Sequence, residues 1–384
     1  MLALAPYPEN SPSTRFRLAQ FREPLAERGV ELRILPFFTG DEYERVAGDG
    51  SVLDKVRVLA RAMKRRRNHL REAGEADLVL IHRGLAPILS RGLLQRLLRS
   101  GVPLVFDFDD AVFLPAQGGS ALPRLAQNPG TATAALCRAA ALVLAGNAYL
   151  ASFARDARGR SHGVEILPTV IDTVRYRPVA ETGPVAGADG GDPKAGDQAP
   201  GKRREPTVGW IGTRTTIPYL EAIYPELEEA RQRIPFRLLV VSDRAPGESP
   251  SLEVAFRRWS PAVELEGLRS MDVGLYPLPD DRWTRGKCGF KAIQYMACGV
   301  PVLGSPVGVL EEMILEGETG VQVREPREWT GGLLTLLREP SLRRRMGRNG
   351  RARVVERYSV QAVLPKLERW LRAAATKHGQ GDRS

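Results

Sequence analysis

Lysines and glycines surround a short predicted helix in the stretch 286–308, which reads GKCGFKAIQYMACGVPVLGSPVG. Lys287 and Lys291 lie on either side of Gly289, and the apolar spacing predicts a helix over Phe290–Ala297. The unpaired N–H groups at the start of a helix attract anions, and a neighbouring lysine adds a full positive charge. These residues predict a phosphate site, although surface lysines on an ordinary helix would have the same spacing.

A second glycine-bearing loop follows the apolar run 207–211. It contains Gly212, Thr213 and Arg214 and leads into a predicted helix. An arginine guanidinium can bind two phosphate oxygens at once, so this loop suits a phosphate clamp. A plain strand–turn–helix connection has the same composition. The residues alone leave both interpretations open.

Carboxylates cluster where the apolar run 103–106 ends, at Asp107, Asp109 and Asp110. The D-x-D spacing is typical of phosphatases of the haloacid dehalogenase type, where it begins the domain and precedes a threonine. Ala111 occupies the threonine position here. The same spacing holds a metal ion in other enzymes, and strand-end aspartates also cap the turn that follows. The residues alone do not select among these three interpretations.

Polar residues after two other apolar runs suggest a place for a second ligand. Ser13, Arg15 and Arg17 follow the first apolar run, and His82 and Arg83 follow a later one. Arginines suit a phosphorylated or acidic ligand. Ser13 is equally suited to capping a helix, and a lone histidine is more often structural than catalytic.

The composition indicates a two-domain α/β protein. The chain has 384 residues, of which 43% are apolar and only 7% aromatic. Its three cysteines leave one unpaired in any disulfide scheme, and it has only four histidines. We therefore expect a reducing cytoplasm and no zinc site. We also expect neither a signal peptide nor a membrane span, since no apolar run approaches the roughly 20 residues that a span needs.

Positive charge is concentrated in the segment 57–71, which reads RVLARAMKRRRNHLR, in a chain of net charge +11. Val58, Leu59, Ala62 and Met63 could form one face of a helix, with the arginines on the other. One interpretation is a platform for anionic lipid head groups or a polyanionic acceptor. The other is a solvated, arginine-rich helix. A nucleic-acid partner is not expected, because no aromatic residues are interleaved with the basic ones.

Apolar runs alternate with helical spacing through both halves of the chain, which predicts two doubly wound parallel sheets. The predicted strands are 2–5, 30–36, 77–81, 103–106, 141–145 and 164–167, then 207–211, 236–241, 272–276, 300–303 and 321–323. Long single helices are predicted over 13–28 and 217–233, and a helical tail over 341–375 with a break near Tyr358–Ser359.

The segment 179–205 is rich in Gly, Ala, Pro and Asp and has almost nothing to bury, which predicts a flexible linker. The expected organisation is a Rossmann-like domain over 1–178, the linker or insertion, a second Rossmann-like domain over 206–358, and a C-terminal helix with a disordered tail over 359–384.

The run Tyr295–Val302 and the turn 304–308 together resemble the sugar-nucleotide site of the group 1 (family 4) glycosyltransferases. That family's loop usually carries two glutamates, but Gln294 and Gly286 stand in those positions here. An amide can still bind ribose hydroxyls. A subset of the family with a lysine just before the helix is closer to this chain, which would give Lys291 the electrostatic role.

The resemblance implies the GT-B fold, with two Rossmann-like domains facing a cleft and the C-terminal helix crossing back to the first domain. It implies transfer from a nucleotide-diphosphate sugar, with retention and with neither metal nor cofactor. Catalytic roles are implied for Arg214, Lys291, Asp109 and Asp110. Donor contacts are implied for Gly212, Thr213, Lys287, Gly289, Phe290, Gln294, Ser305, Gly308 and Glu312. Acceptor contacts are implied for Ser13, Arg15, Arg17, His82 and Arg83.

The resemblance also implies a setting. The acceptor would be a glycan, a lipid-linked molecule or a small molecule in cell-envelope polysaccharide synthesis. The protein would be cytoplasmic, with peripheral contact at the inner face of the membrane through 57–71. Two rival interpretations remain: a phosphatase using Asp107 and Asp109, and a GT-B protein that binds a sugar nucleotide without transferring it, since the loop glutamates are missing.

Overall fold

The computed structural model describes residues 1–48, 51–86, 90–115, 129–179 and 204–376. By their contacts, these residues form two compact units. The first contains the described residues within Met1–Asp172, Asp280–Phe290 and Glu356–Ser384, and the second those within Thr173–Pro279 and Lys291–Val355. Nearly all of the predicted linker 179–205 and the end of the predicted tail 359–384 lie outside the described residues.

A sheet of six parallel strands forms the centre of the first unit. The strands are short and largely buried, as expected for a parallel sheet covered on both faces. Their order is β2-β1-β3-β4-β5-β6. They are β1 (Leu2–Ala5), β2 (Arg33–Pro36), β3 (Val79–His82), β4 (Leu104–Phe108), β5 (Leu142–Ala145) and β6 (Val164–Ile166).

Helices join these strands and cover the sheet. They are α1 (Pro12–Arg17), α2 (Arg22–Ala26), α3 (Gly40–Ala47), α4 (Val52–Glu72), α5 (Ser90–Leu98), α6 (Pro129–Ala139) and α7 (Ala148–Arg158). The prediction of one helix over 13–28 is wrong. Leu18 leaves the helical conformation, with φ −129° and ψ −61°, and a 3-10 turn at Ala19–Phe21 separates α1 from α2.

The second unit also has six parallel strands, in the order β12-β11-β10-β7-β8-β9. They are β7 (Thr207–Ile211), β8 (Arg237–Ser242), β9 (Val254–Arg258), β10 (Val273–Tyr276), β11 (Val302–Gly304) and β12 (Gly320–Gln322). The sequence did not predict β9. This strand lies at the sheet edge, is half-exposed and ends in two arginines, so it lacks the apolar run that marks the others.

The helices of this region are α8 (Ile217–Glu221), α9 (Tyr224–Arg233), α10 (Pro261–Ser270), α11 (Phe290–Ala297), α12 (Leu310–Met313), α13 (Pro326–Arg338) and α14 (Pro340–Arg357). The predicted single helix 217–233 is two helices, with a proline in the first turn of α9. The sequence missed α10, although Ser260 caps it by accepting a 3.3 Å hydrogen bond from the Val263 N–H.

A last helix, α15 (Val360–Thr376), begins after the predicted break near residues 358 and 359, which is confirmed. Its apolar side chains, among them Leu364 and Leu367, pack in one buried cluster with Leu18, Phe21 and Leu25 of the first unit. Among the helices that the structure describes, none is both long enough and apolar enough to cross a membrane.

The predicted α/β class with two doubly wound parallel sheets is confirmed. In each sheet the chain runs outward from its first strand to one side and then returns to build the other side. The order therefore reverses between β1 and β3 in the first unit and between β7 and β10 in the second. Ligands of open α/β sheets bind beyond the carboxyl ends of the strands at such switch points.

Candidate functional site

Lys291 lies at the switch point of the second unit. Its ammonium nitrogen is 4.2 Å from the centroid of the Trp210 ring and 5.4 Å from that of Tyr276. It also donates a hydrogen bond of 3.3 Å to Thr216 Oγ1. Trp210 belongs to β7 and Tyr276 ends β10, so aromatic faces from both sides of the switch point hold the cation there.

Gly212 leaves the space that this arrangement needs. A Cβ atom at this position would lie 2.2 Å from Cη2 of Trp210 and 2.8 Å from Nζ of Lys291. The lysine end could move away, but the Trp210 ring is fully buried and cannot yield without repacking the core. The glycine is therefore required by the closeness of the loop to the ring and the cation.

We expect Gly212→Ala to lower the free energy of unfolding by about 2 kcal/mol, because the added methyl group must push aside the Trp210 ring. Denaturant unfolding followed by tryptophan fluorescence measures the change. The matched control is Gly331→Ala in α13, where a Cβ meets nothing within 4 Å and alanine should stabilise the helix slightly. Equal stability of the Gly212 variant and the wild type would show that the ring is not confined.

Arg214 is oriented by a carboxylate that the sequence did not identify. The Arg214 backbone N–H donates to Asp243 Oδ1 at 2.6 Å, and its Nε donates to Oδ2 at 2.7 Å. Burial tends to raise the pKa of Asp243, but the hydrogen bonds from Arg214 outweigh it and the pKa lies below its ordinary value. The Thr213 N–H donates to Thr216 Oγ1 at 3.2 Å. Asp243 directly follows β8, the neighbour of β7, and that position was the signal available in the sequence.

The remaining predicted donor residues of the second unit differ in exposure. Ser305 Oγ accepts a 3.1 Å hydrogen bond from the Leu278 N–H, and Gly308 has a φ of +58°, which favours glycine. Glu312 is exposed on α12. Gln294 is only 4% exposed, so its side chain is enclosed within the packing around α11, and its donor contact stays a prediction. Every residue from 292 to 297 is buried in that helix.

A line of three polar side chains crosses the switch point of the first unit. His82 Nδ1 lies 2.7 Å from Asp107 Oδ2, and His82 Nε2 lies 2.7 Å from Ser13 Oγ. His82 and Asp107 are paired in register on β3 and β4, and Ser13 follows β1 in α1. The carboxylate favours a proton on Nδ1, so in the neutral ring Nε2 accepts the serine hydroxyl. The sequence placed His82 and Ser13 in one group but did not link them through Asp107.

Arg17 is committed to Asp107. Its Nη2 and Nε both bind the Asp107 carboxylate, and its Nη1 donates to the Leu167 carbonyl at 2.8 Å. Both side chains are almost completely buried. Burial tends to raise the pKa of Asp107, but Arg17 and His82 outweigh it and hold the pKa below its ordinary value. The Arg17 guanidinium is therefore engaged within the first unit, and its contact with an acceptor stays a prediction.

Arg83 joins the two remaining aspartates. Its Nε donates to Asp109 Oδ1 at 2.6 Å, and its Nη2 lies 3.7 Å from Asp110 Oδ2. With a φ of +60°, Arg83 is the one non-glycine residue in the described ranges with a left-handed backbone. Such a conformation is costly and persists where surrounding contacts hold it. Burial tends to raise the pKa of Asp109, but Arg83 and His82 outweigh it, so this carboxylate is held ionised.

The segment Asp280–Phe290 packs with the first unit, although the sequence assigns it to the second domain. Lys287 Nζ lies 3.8 Å from Asp110 Oδ1, and the Lys287 carbonyl accepts a 3.0 Å hydrogen bond from Asn147 Nδ2. Cys288 Sγ donates to the Asp109 carbonyl at 3.0 Å. These anchors add Lys287 to the cluster of charges around the aspartates.

Two further predicted residues follow in the same segment. Gly289 has a φ of +66°, and the Phe290 ring lies 4.1 Å from that of Phe16 on α1, measured between centroids. The Arg15 guanidinium lies 4.2 Å from the centroid of the same Phe16 ring. Gly289 and Phe290 therefore position this segment against α1.

The surroundings of Asp107 do not favour a phosphatase. The nucleophilic aspartate of such an enzyme must face its substrate, whereas Asp107 is enclosed by Arg17 and His82. It also lies on the fourth strand along the chain, not the first. Within the described ranges, no group of three or more His, Cys, Asp or Glu side chains could hold a metal ion.

Part of the chain is similar in sequence to a known protein family. Residues 206–339 match a family described as "Glycosyl transferases group 1". D-inositol 3-phosphate glycosyltransferase of Gordonia bronchialis is 34% identical over 95 residues, which are 23% of this chain and 21% of that protein. The chain thus spans about a fifth of the length of the curated relatives it matches.

Solved structures are similar over nearly the whole chain. HepE of Anabaena, in complex with UDP and glucose, has a TM-score of 0.63 at 14% identity and covers 97% of this chain and 99% of its own. Sucrose-phosphate synthase from Thermosynechococcus elongatus has a TM-score of 0.66 at 18% identity, with the same coverage. At such identities the likeness concerns the fold. The protein has the GT-B fold of glycosyltransferases, and its segment 206–339, which contains Arg214, Lys291 and Ser305, matches the group 1 glycosyl transferases.

Proposed function

We propose that this protein is a retaining glycosyltransferase of group 1, family 4, which takes a sugar from a nucleotide-diphosphate donor. The observation that carries the proposal is the position of Lys291. Its ammonium group is held against two aromatic rings at a switch point, within the segment that matches the family. Transfer breaks the bond between the anomeric carbon and a phosphate oxygen, and a fixed positive charge stabilises the diphosphate as it departs.

The other donor contacts proposed in the second unit follow from the same geometry. Asp243 orients the Arg214 guanidinium, which supplies a second positive charge for the diphosphate. Gly212 and Thr213 bring the backbone of this loop close to the donor, and the Ser305–Gly308 turn lies after the neighbouring strand β11. Glu312 would bind hydroxyl groups of the sugar. With lysine and arginine neutralising the diphosphate, the proposed reaction needs neither a metal ion nor a cofactor.

The acceptor is assigned to the first unit. Ser13 and His82 would orient its attacking hydroxyl, and the Nε2 atom of His82 can take the proton that this hydroxyl loses. Asp107 keeps the proton of the ring on Nδ1, which leaves Nε2 as the basic atom. Arg83, held by Asp109, would favour an acceptor that carries a phosphate or a carboxylate, and Lys287, which lies near Asp110, would contact the donor.

The proposed acceptor class and cellular setting rest on the family resemblance. A glycan, a lipid-linked molecule or a small molecule could present the attacking hydroxyl. We place the reaction in cell-envelope polysaccharide synthesis, in the cytoplasm and at the inner face of the membrane.

The first test is a thermal-shift panel with UDP, GDP, ADP, dTDP and their sugars, with and without a chelator. We expect one nucleoside diphosphate to raise the melting temperature. This rise should be the same with and without the chelator, and it should be absent in Lys291→Met. Radiolabelled sugar transfer from that donor to a panel of acceptors then tests the reaction, and the anomeric configuration of the product tests retention.

Other outcomes would contradict the proposal. An unchanged melting temperature with every nucleotide would contradict the proposed donor site. Magnesium-dependent hydrolysis of a phosphomonoester that disappears in Asp107→Asn would support the phosphatase instead. A donor shift without transfer to any acceptor of the panel would favour a protein that binds sugar nucleotides without catalysis.

A further inference from the structure

The hydrogen-bonded line of Ser13, His82 and Asp107 in the first unit has the arrangement of a nucleophile, a base and an orienting carboxylate. Ser13 Oγ lies 2.7 Å from His82 Nε2, and His82 Nδ1 lies 2.7 Å from Asp107 Oδ2. His82 and Asp107 are almost completely buried, whereas Ser13 is half-buried. A serine hydroxyl becomes nucleophilic when an adjacent base takes its proton and a third group orients that base. The serine is thus also the member of the line that a substrate can reach.

Two carboxylates lie beside the His82 ring, at different distances. Asp107 Oδ2 is 2.7 Å from Nδ1, while Asp109 Oδ1 is 4.0 Å from Nε2 and accepts a 2.6 Å hydrogen bond from Arg83 Nε. Only the shorter contact is a hydrogen bond, so it decides the tautomer and places the ring proton on Nδ1. Nε2 then presents its lone pair to the Ser13 hydroxyl, as proton transfer from a serine requires.

Two backbone N–H groups beside the Ser13 side chain donate to no partner among the residues that the structure describes. The first backbone hydrogen bond of α1 runs from the Arg15 N–H to the Ser11 carbonyl at 2.9 Å, which leaves the N–H groups of Ser13 and Thr14. The Ser11 side chain does not cap them, and its hydroxyl donates to the Pro8 carbonyl at 2.7 Å. In serine hydrolases, the N–H of the nucleophile or of the residue after it stabilises the oxyanion that forms when a carbonyl is attacked.

We propose that Ser13 is an activated nucleophile and that the first unit hydrolyses small carboxylic esters. The Ser13 oxygen would bond to the ester carbonyl carbon while His82 Nε2 takes the hydroxyl proton. The bond to the alkoxy group then breaks, the alcohol leaves with that proton, and the acyl group remains on Ser13. In the second step water gives a proton to Nε2 and attacks the acyl carbon, and the Ser13 oxygen leaves with this proton as the carboxylic acid is released.

This activity goes beyond sugar transfer and is tested without a sugar nucleotide. An alkyl fluorophosphonate is added to the full chain, because it bonds to an activated serine with loss of fluoride. We expect labelling that mass spectrometry locates at Ser13. Ser13→Ala should abolish both the labelling and the steady-state hydrolysis of p-nitrophenyl acetate. His82→Gln should slow the labelling by about two orders of magnitude.

Ser11→Ala is the matched control. Ser11 precedes the same helix and is half-buried like Ser13, but its hydroxyl bonds to a backbone carbonyl and not to a histidine. This variant should be labelled like the wild type. Absence of labelling in the wild type, or undiminished labelling of Ser13→Ala, would overturn the proposal. Melting curves should show that the variants are folded, and the result for Ser13→Ala decides even if His82→Gln is not.

A pair of cysteine variants tests the proton acceptor separately. The thiol introduced by Ser13→Cys should react with iodoacetamide about ten-fold faster than the thiol introduced by Ser11→Cys, because His82 can take its proton. The three native cysteines are buried, so they give a low background. Equal rates for the two variants would show that His82 does not activate this position and would also overturn the proposal.

Discussion

Replacement of Lys291 by methionine is expected to lower turnover by about two orders of magnitude. Methionine keeps an unbranched side chain beside Trp210 and Tyr276 but removes the charge that stabilises the departing diphosphate. Arg214→Ala should lower turnover to a similar extent, since it removes the second cation of the proposed clamp. The measurement is kcat for sugar transfer from the donor that the nucleotide panel identifies.

Lys366→Met is the control for Lys291→Met, because Lys366 is an exposed lysine on α15. It should leave both turnover and donor binding unchanged. Near-normal turnover in Lys291→Met and in Arg214→Ala would rule out the clamp, provided that melting curves show both proteins folded. A change in KM alone would mean that the cations bind the donor without favouring the transition state.

Arg17→Met is expected to lower the free energy of unfolding by about 3–5 kcal/mol at neutral pH, because it leaves the Asp107 carboxylate buried without its cation. In the wild type the pKa of Asp107 lies below its ordinary value, so the carboxylate stabilises the fold above about pH 4 and this contribution is lost as the pH falls. In the variant, Arg17 no longer opposes the effect of burial on Asp107, so we expect the pKa of this carboxyl to rise. The difference in the free energy of unfolding between wild type and variant should therefore be largest at neutral pH and smaller in acid. Urea unfolding at several pH values measures it.

An exposed ion pair provides the control. Arg233 pairs with Glu229 on the surface of α9, and Arg233→Met should change stability by less than about 1 kcal/mol. Arg17→Met/Asp107→Asn should recover part of the loss, since no charge remains unpaired. A difference that does not depend on pH would show that Arg17 acts by packing alone.

The sequence predicted the sheets well because buried parallel strands are continuous apolar runs. The first and seventh strands, 2–5 and 207–211, have the predicted bounds. The edge strand Val254–Arg258 has no such run, because it is paired on one side only and half-exposed. The helix break at Leu18 was missed because neither a glycine nor a proline stands at that position. The break before α9 was missed although Pro225 lies in the first turn of that helix.

The candidate site was predictable where a residue's type and position in the sequence together indicated its chemical role. Lys291 was identified from its place in the first turn of a predicted helix. Trp210 and Tyr276 were not identified, because aromatic residues in apolar strands look like core residues. Arg17 was assigned to a ligand, whereas it neutralises Asp107, a residue distant in sequence. Charge pairing between strands depends on register, and register is not visible in one sequence.

The placement of α15 has a consequence for the order of events during synthesis. The apolar side chains of Leu18, Phe21 and Leu25 are covered by a helix that leaves the ribosome only after residue 360. All residues of the second unit emerge before that helix does. The first unit, although it begins the chain, is therefore completed last. Until then we expect its nascent form to expose an apolar surface that chaperones can bind. Protease sensitivity of the first unit in chains stalled before residue 360 would reveal this delay.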